Sequence, residues 1–202
     1  MSQRYLVTAL LVAILAGVLG ALGLTGSGAP TRTAGTPLDP PRPLAAFELI
    51  DQAGRPFTHR DLEGRWSLLF AGFTHCPDIC PDTLVRLDAL DERLRETGVE
   101  LETVFLSLDP ERDTPARLAD YLAYFNPEFT GVTGKKEEID KLTDALGLAY
   151  VKIPGSEGRY TVDHSSAVVL IDPKGRAAAY FRAPLDIDAL TADLGPMIKA
   201  KR

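Results

Sequence analysis

The chain is poor in cysteine: its 202 residues include only two, Cys76 and Cys80. Two are too few for a disulfide scaffold. A second, distant cysteine to resolve an oxidised thiol is missing. That speaks against a peroxidase, although a strand, a threonine and a cysteine do follow one another up to Cys76. An excess of positive charge is lacking as well. Lys and Arg number 22 against 28 Asp and Glu, for a net charge of -6 and a pI near 5.1. A nucleic-acid partner would want a basic face, so that class is excluded. There is no internal repeat and no long run of like charge. No Arg-rich amphipathic leader opens the sequence, which speaks against an organelle import signal. No cysteine directly follows the N-terminal apolar stretch, which excludes a lipidated cysteine there.

That apolar stretch is the first thing present. After Arg4, Tyr5 to Leu24 carry no charge. About 20 apolar residues cross a bilayer, whereas a cleavable signal usually has an apolar core of about 7–15. Residues 1–24 are therefore expected to be an uncleaved transmembrane anchor. The positive-inside rule keeps Arg4 in the cytoplasm, giving a single pass through a bacterial inner membrane with the rest of the chain in the periplasm. Residues 25–43, rich in Gly, Pro and Thr, read as a flexible linker. The folded domain is expected over 44–202.

Within that domain, Leu44 to Ile50 reads as a weakly alternating strand. Trp66 to Phe73 is nearly all apolar, as a strand buried on both faces should be. Leu84, Leu87, Leu90 and Leu94 place a helix over Asp82 to Glu96, stopped by Gly98. Val99 to Leu108 is a second strand. Thr114 and Pro115 supply a cap and first position for a helix whose inner face is Leu118, Tyr121, Leu122 and Phe125. A short strand at Phe129 to Val132 and a helix from Lys135 to Leu146 follow. Ala149 to Ile153 and Tyr160 to Thr161 flank a turn. Ala167 to Ile171 and Arg176 to Phe181 form a hairpin, and Asp186 to Lys199 closes the chain as a helix that Gly195 and Pro196 could break. Alternating strands and helices predict an α/β fold around a central mixed sheet flanked by helices. Cysteines at the end of the first central strand are what a thioredoxin-like arrangement has.

The cysteines sit where a strand hands over to a helix, a place where helix-end amides favour thiolates. If the segment from Cys76 onward is helical, a four-residue step puts both sulfurs on one face. Such a pair can share a soft metal ion or close a disulfide. An inert structural bridge explains the spacing too, and an oxidising compartment favours it. A lone histidine near a strand, such as His164, is more often a hydrogen-bonding group than a ligand. His75 adjoins Cys76, but neighbouring side chains on a turn commonly point apart, so it is better read as tuning thiol acidity or touching a partner. His59 lies in a polar loop and carries no role. Asp78 favours the helix start by its charge. Pro77 and Pro81 preset the helical backbone angle. Asp109, Glu111, Arg112 and Asp113 lie between a strand end and a helix cap, and also suit a charged surface for a partner.

Three motifs occur in order: Phe73-Thr74-His75-Cys76-Pro77-Asp78-Ile79-Cys80-Pro81, then Ser107-Leu108-Asp109-Pro110-Glu111-Arg112-Asp113-Thr114-Pro115, then Val162-Asp163-His164-Ser165. Together they closely resemble the signatures of the Sco/SenC family, over a stretch from about Leu44 to the last helix. The resemblance implies a thioredoxin-like domain that binds copper through Cys76, Cys80 and His164. It also implies that Cys76 and Cys80 form a disulfide in the oxidised, metal-free form. Members help to build the dinuclear copper centre of cytochrome c oxidase, as copper donors, as thiol reductants, or both. The implied partners are the oxidase subunit carrying that centre and a protein that donates copper. The chemistry agrees: thiolates suit Cu(I), and imidazole is also a good copper ligand. Two thiolates and a neutral imidazole leave Cu(I) with a net charge of about -1 and Cu(II) near neutral, by addition of ligand charges. The alternative is an enzyme, a thiol–disulfide reductase with Cys76 attacking and Cys80 resolving, which has no need of His164.

Overall fold

A computed structural model of the chain describes residues 35–199. The expected anchor and the first part of the expected linker lie outside the described residues. Among the described residues, no helix is long and apolar enough to cross a membrane.

The centre is a parallel trio, β4 (Ser67–Gly72), β5 (Glu102–Ser107) and β6 (Thr130–Thr133). Every residue of β4 is buried, which accounts for its unbroken apolar run. β9 (Ala167–Ile171) pairs antiparallel with β4, and β10 (Arg176–Arg182) pairs antiparallel with β9. On the far side β2 (Glu48–Asp51) pairs antiparallel with β6, and β3 (Pro56–Thr58) with β2. The outermost strand beyond β10 is β1 (Gly35–Pro43), which completes an eight-stranded mixed sheet in the order β1-β10-β9-β4-β5-β6-β2-β3. Four helices accompany it: α1 (Ile79–Glu96), α2 (Pro115–Ala123), α3 (Lys136–Leu146) and α4 (Ile187–Lys199). α1 packs against α4, α2 against β6, and α3 against β1 and β2. β7 (Tyr150–Pro154) and β8 (Tyr160–His164) form a separate antiparallel hairpin.

Most expected elements are present, with three corrections. The flexible-linker expectation fails over 35–43, because these residues form β1 and pair with β10. Their four prolines disguise a strand, but an edge strand tolerates residues that cannot donate to a ladder, and the register slips between Pro37 and Arg42. α1 starts at Ile79 rather than at Asp82, since Pro81 falls in a first turn that leaves its amides unpaired anyway. α4 runs through Gly195 and Pro196 without a break. The helix faces were legible: Leu84, Leu87, Leu90 and Leu94 are all buried. Thr114 caps α2, its Oγ1 accepting the Arg117 amide at 3.2 Å.

Candidate metal centre

The carboxyl ends of the parallel strands carry the site, as is usual for open α/β sheets. β4 ends at Gly72, and the chain turns at once: the Cys76 amide donates to the Phe73 carbonyl at 3.2 Å. Gly72 is required by what lies beside it. A Cβ there would stand 2.8 Å from Cys80 Sγ and 2.9 Å from Phe105 Cε2, well inside contact distance.

Cys76 precedes α1, and Cys80 lies in its first turn. The sulfurs meet even though residues 76 to 78 are not helical. The Cys80 amide donates to Cys76 Sγ at 3.4 Å, so that sulfur takes an amide that a side-chain cap oxygen would otherwise take. Asp78 occupies the cap position, but its side chain makes no cap bond. Neither cysteine is in a disulfide; Cys76 is half-buried and Cys80 fully buried.

The pair divides its protons unequally. A hydrogen bond from Cys80 holds the Cys76 thiol far below its usual range, at about 4; burial opposes this, while His164 and the amides of Asp78 and Cys80 reinforce it. Cys80 is pushed the other way, first by that bond to Cys76 and then by burial. Cys76 is the thiolate and Cys80 the thiol.

His164 ends β8 and completes the cluster. Its Nε2 lies 3.6 Å from Cys80 Sγ, and one ligand atom each from Cys76, Cys80 and His164 all fall within 4.8 Å of one another. The ring is fixed from behind. Nδ1 lies 3.0 Å from the Ser165 carbonyl, which can only accept, so Nδ1 carries a proton and Nε2 is the ring nitrogen turned toward the sulfurs. Phe70 and Phe73 meet the ring edge-on, with centroids 6.3 and 5.9 Å away. Two soft sulfurs and one imidazole nitrogen form a donor set for a soft ion.

The other candidates fall elsewhere. His75 points away from the sulfurs, its Nδ1 3.2 Å from Thr74 Oγ1 and 3.8 Å from Asp113 Oδ1. His59 is far along the sheet, its ring against Phe47. The charged-surface expectation for Asp109 to Asp113 is wrong for two of its four members, since Asp109 and Asp113 are completely buried. Asp113 accepts from the Thr74 amide at 3.0 Å, from Thr74 Oγ1 at 2.6 Å and from Ser107 Oγ at 2.7 Å. Asp109 accepts from Tyr160 Oη at 2.6 Å and from Arg112 Nε. Tyr160 carried no signal in the sequence. The clue to the buried carboxylates was Ser107, a polar residue ending an apolar strand and followed closely by two aspartates.

The family model for SCO1/SenC matches residues 36–199. The chain belongs to the SCO1/SenC family. A relative from Stutzerimonas stutzeri, named for copper binding, is 42% identical over 162 residues, covering 80% of this chain and 79% of its own. The crystal structure of Arabidopsis thaliana ScoI with copper bound is 37% identical, with a TM-score of 0.73 over 77% of this chain and 98% of that one. The crystal structure of yeast Sco1 with copper bound is 32% identical, with a TM-score of 0.74 over 79% of this chain and 90% of that one. These SCO1/SenC structures share the thioredoxin-like fold described above.

Proposed function

We propose that this SCO1/SenC chain is a copper carrier that binds one copper ion through Cys76 Sγ, Cys80 Sγ and His164 Nε2. Its client is the cytochrome c oxidase subunit with the dinuclear copper centre, and a second protein supplies the copper. The observation that carries this reading is the approach of His164 Nε2 to Cys80 at 3.6 Å with Nδ1 already committed to a carbonyl. A merely structural histidine has no need to aim its second ring nitrogen at a sulfur pair. The copper-bound relatives support it.

Anaerobic copper titration of the reduced protein tests the proposal. It should saturate at one copper per chain and, with Cu(II), give a sulfur-to-metal charge-transfer band. The proton count follows from the unequal pair. Cys76 is already ionised at pH 8, so of the two sulfurs only Cys80 has a proton to give up on binding. Failure to take up copper overturns the assignment, and a proton released from Cys76 itself overturns its thiolate.

Residues 1–24 anchor the carrier in a bacterial inner membrane and hold its domain in the periplasm, where tethering raises its effective concentration near a membrane-embedded client. The apolar run from Tyr5 to Leu24 supports this. The protein should stay with membranes through an alkaline carbonate wash, and release into the wash would refute the anchor.

A second reading, thiol–disulfide reductase, is favoured by one observation. Cys76 is a half-buried thiolate at a helix start and Cys80 is a fully buried thiol behind it. That is the order of an attacking and a resolving cysteine.

A further inference from the structure

We infer that the loop from Leu108 to Thr114 is a clasp that sets the separation between the sulfur pair and His164, with Tyr160 as its positioning residue. The inference rests on the copper-site reading above and identifies what holds that site's geometry.

The ligands come from two bodies. Cys76 and Cys80 belong to the main sheet and α1, whereas His164 ends a hairpin that shares no ladder with that sheet. Strand pairing does not set the distance from nitrogen to sulfur; beyond the three-residue step from His164 to Ala167 of β9, side-chain ties must hold it. One tie is remote from the site, a bond from Tyr150 Oη to Asp140 on α3 at 2.6 Å. Several more converge on Tyr160, at the start of β8. Its hydroxyl donates to the buried Asp109 at 2.6 Å, and its carbonyl accepts from Arg112 at 3.2 Å. Its ring lies against two cations, Arg112 with its guanidinium carbon at 3.8 Å and Lys152 with its ammonium at 4.4 Å from the ring centre. Lys152 is held in turn by Glu111 at 2.6 Å. Three consecutive side-chain anchors of one loop region, Asp109, Glu111 and Arg112, therefore grip the hairpin.

The same loop grips the other body. Asp113 binds the amide and hydroxyl of Thr74, two residues before Cys76. Ser107 locks the two ends of the grip together: its hydroxyl donates to Asp113 at 2.7 Å and accepts the Asp109 amide at 3.1 Å. The cysteine turn and the histidine hairpin thus hang from one buried hydrogen-bonded unit. Bonds to a buried carboxylate are strong and directional, so such a unit can hold a distance that a bare loop could not. Tyr160 touches no ligand atom. It acts through β8, of which His164 is the last residue.

The test uses the full chain in detergent and the variant Tyr160→Phe, which keeps the ring against its cations and removes only the hydroxyl. Two quantities are measured: hydrogen exchange of the β7–β8 amides in the reduced, metal-free protein, and the rate of copper release to a competing chelator. Loss of one charge-assisted hydrogen bond should raise both by about tenfold, while exchange in β4 and β5 and the position of the charge-transfer band stay as in the parent. Lys152→Met serves as a second variant, since Lys152 and Glu111 are both on the surface and the fold does not depend on them. It should move both quantities in the same direction by about threefold. Unchanged hairpin exchange in both variants overturns the clasp. A hairpin that loosens while copper leaves at the parent rate overturns its positioning role. If the parent protein takes up no copper, the copper-site reading falls, and hairpin exchange alone still decides the clasp.

Discussion

His164→Ala is expected to weaken Cu(I) binding by more than about a hundredfold, because losing even an outer partner of a metal ligand costs roughly 10–100-fold and this change removes a donor atom outright. Competition with a chromophoric Cu(I) chelator measures it, and the charge-transfer band of the Cu(II) form should shift as a nitrogen donor is replaced by solvent. The fold should survive, since the ring is only half-buried and its removal leaves β8 with its ladder to β7. An unchanged affinity together with an unchanged band would sink the carrier reading.

The same variant separates the two functional readings. Disulfide reduction needs only Cys76 and Cys80, so a reductase should keep most of its rate when His164 is lost. A carrier should lose its cargo. His164 contributes to the low pKa of Cys76, but the bond from Cys80 is the larger influence. The thiolate should therefore persist in His164→Ala, and a fall in copper affinity cannot be put down to loss of the Cys76 thiolate.

Much of this site could be read from the residue order because its parts are chemically rare. Two cysteines four apart, entering from a wholly buried strand, leave little freedom about where the sulfurs lie in the fold. The sulfurs met by a different route from the one expected, through the Cys80 amide donating to Cys76 Sγ rather than through a helical turn. β1 was hidden because proline reads as linker wherever the strand's neighbours are unknown, and only β10 makes Gly35–Pro43 a strand. The loop of Asp109 to Asp113 was misread for a related reason. Charged residues in a loop look solvated unless their partners are known, and these partners, Thr74 and Tyr160, lie 39 and 51 residues away in sequence. Burial of a carboxylate is a tertiary property, and local pattern is blind to it.

That burial gives the second large effect. Asp113→Ala is expected to destabilise the reduced, metal-free protein by about 2–4 kcal/mol, read as a lower urea midpoint with an unchanged slope. The carboxylate is fully buried and accepts three hydrogen bonds, from the Thr74 amide, the Thr74 hydroxyl and Ser107. Summed as bonds to a charged group, at about 1.5–3 kcal/mol each, these would suggest a larger loss. Two effects reduce it. Removing a buried charge recovers part of its desolvation cost, and the two hydroxyls can rotate toward other acceptors. The Thr74 amide cannot rotate, and it is left unsatisfied two residues ahead of Cys76. The loss should therefore be local as well as global, with copper released faster from the variant even under conditions where it is fully folded. Asp113→Asn keeps the shape and one accepting oxygen, so it should fall between the parent and Asp113→Ala in both respects. A midpoint for Asp113→Ala equal to that of the parent would mean that the cysteine turn stands without this anchor, and that the buried carboxylate has some other reason to be there.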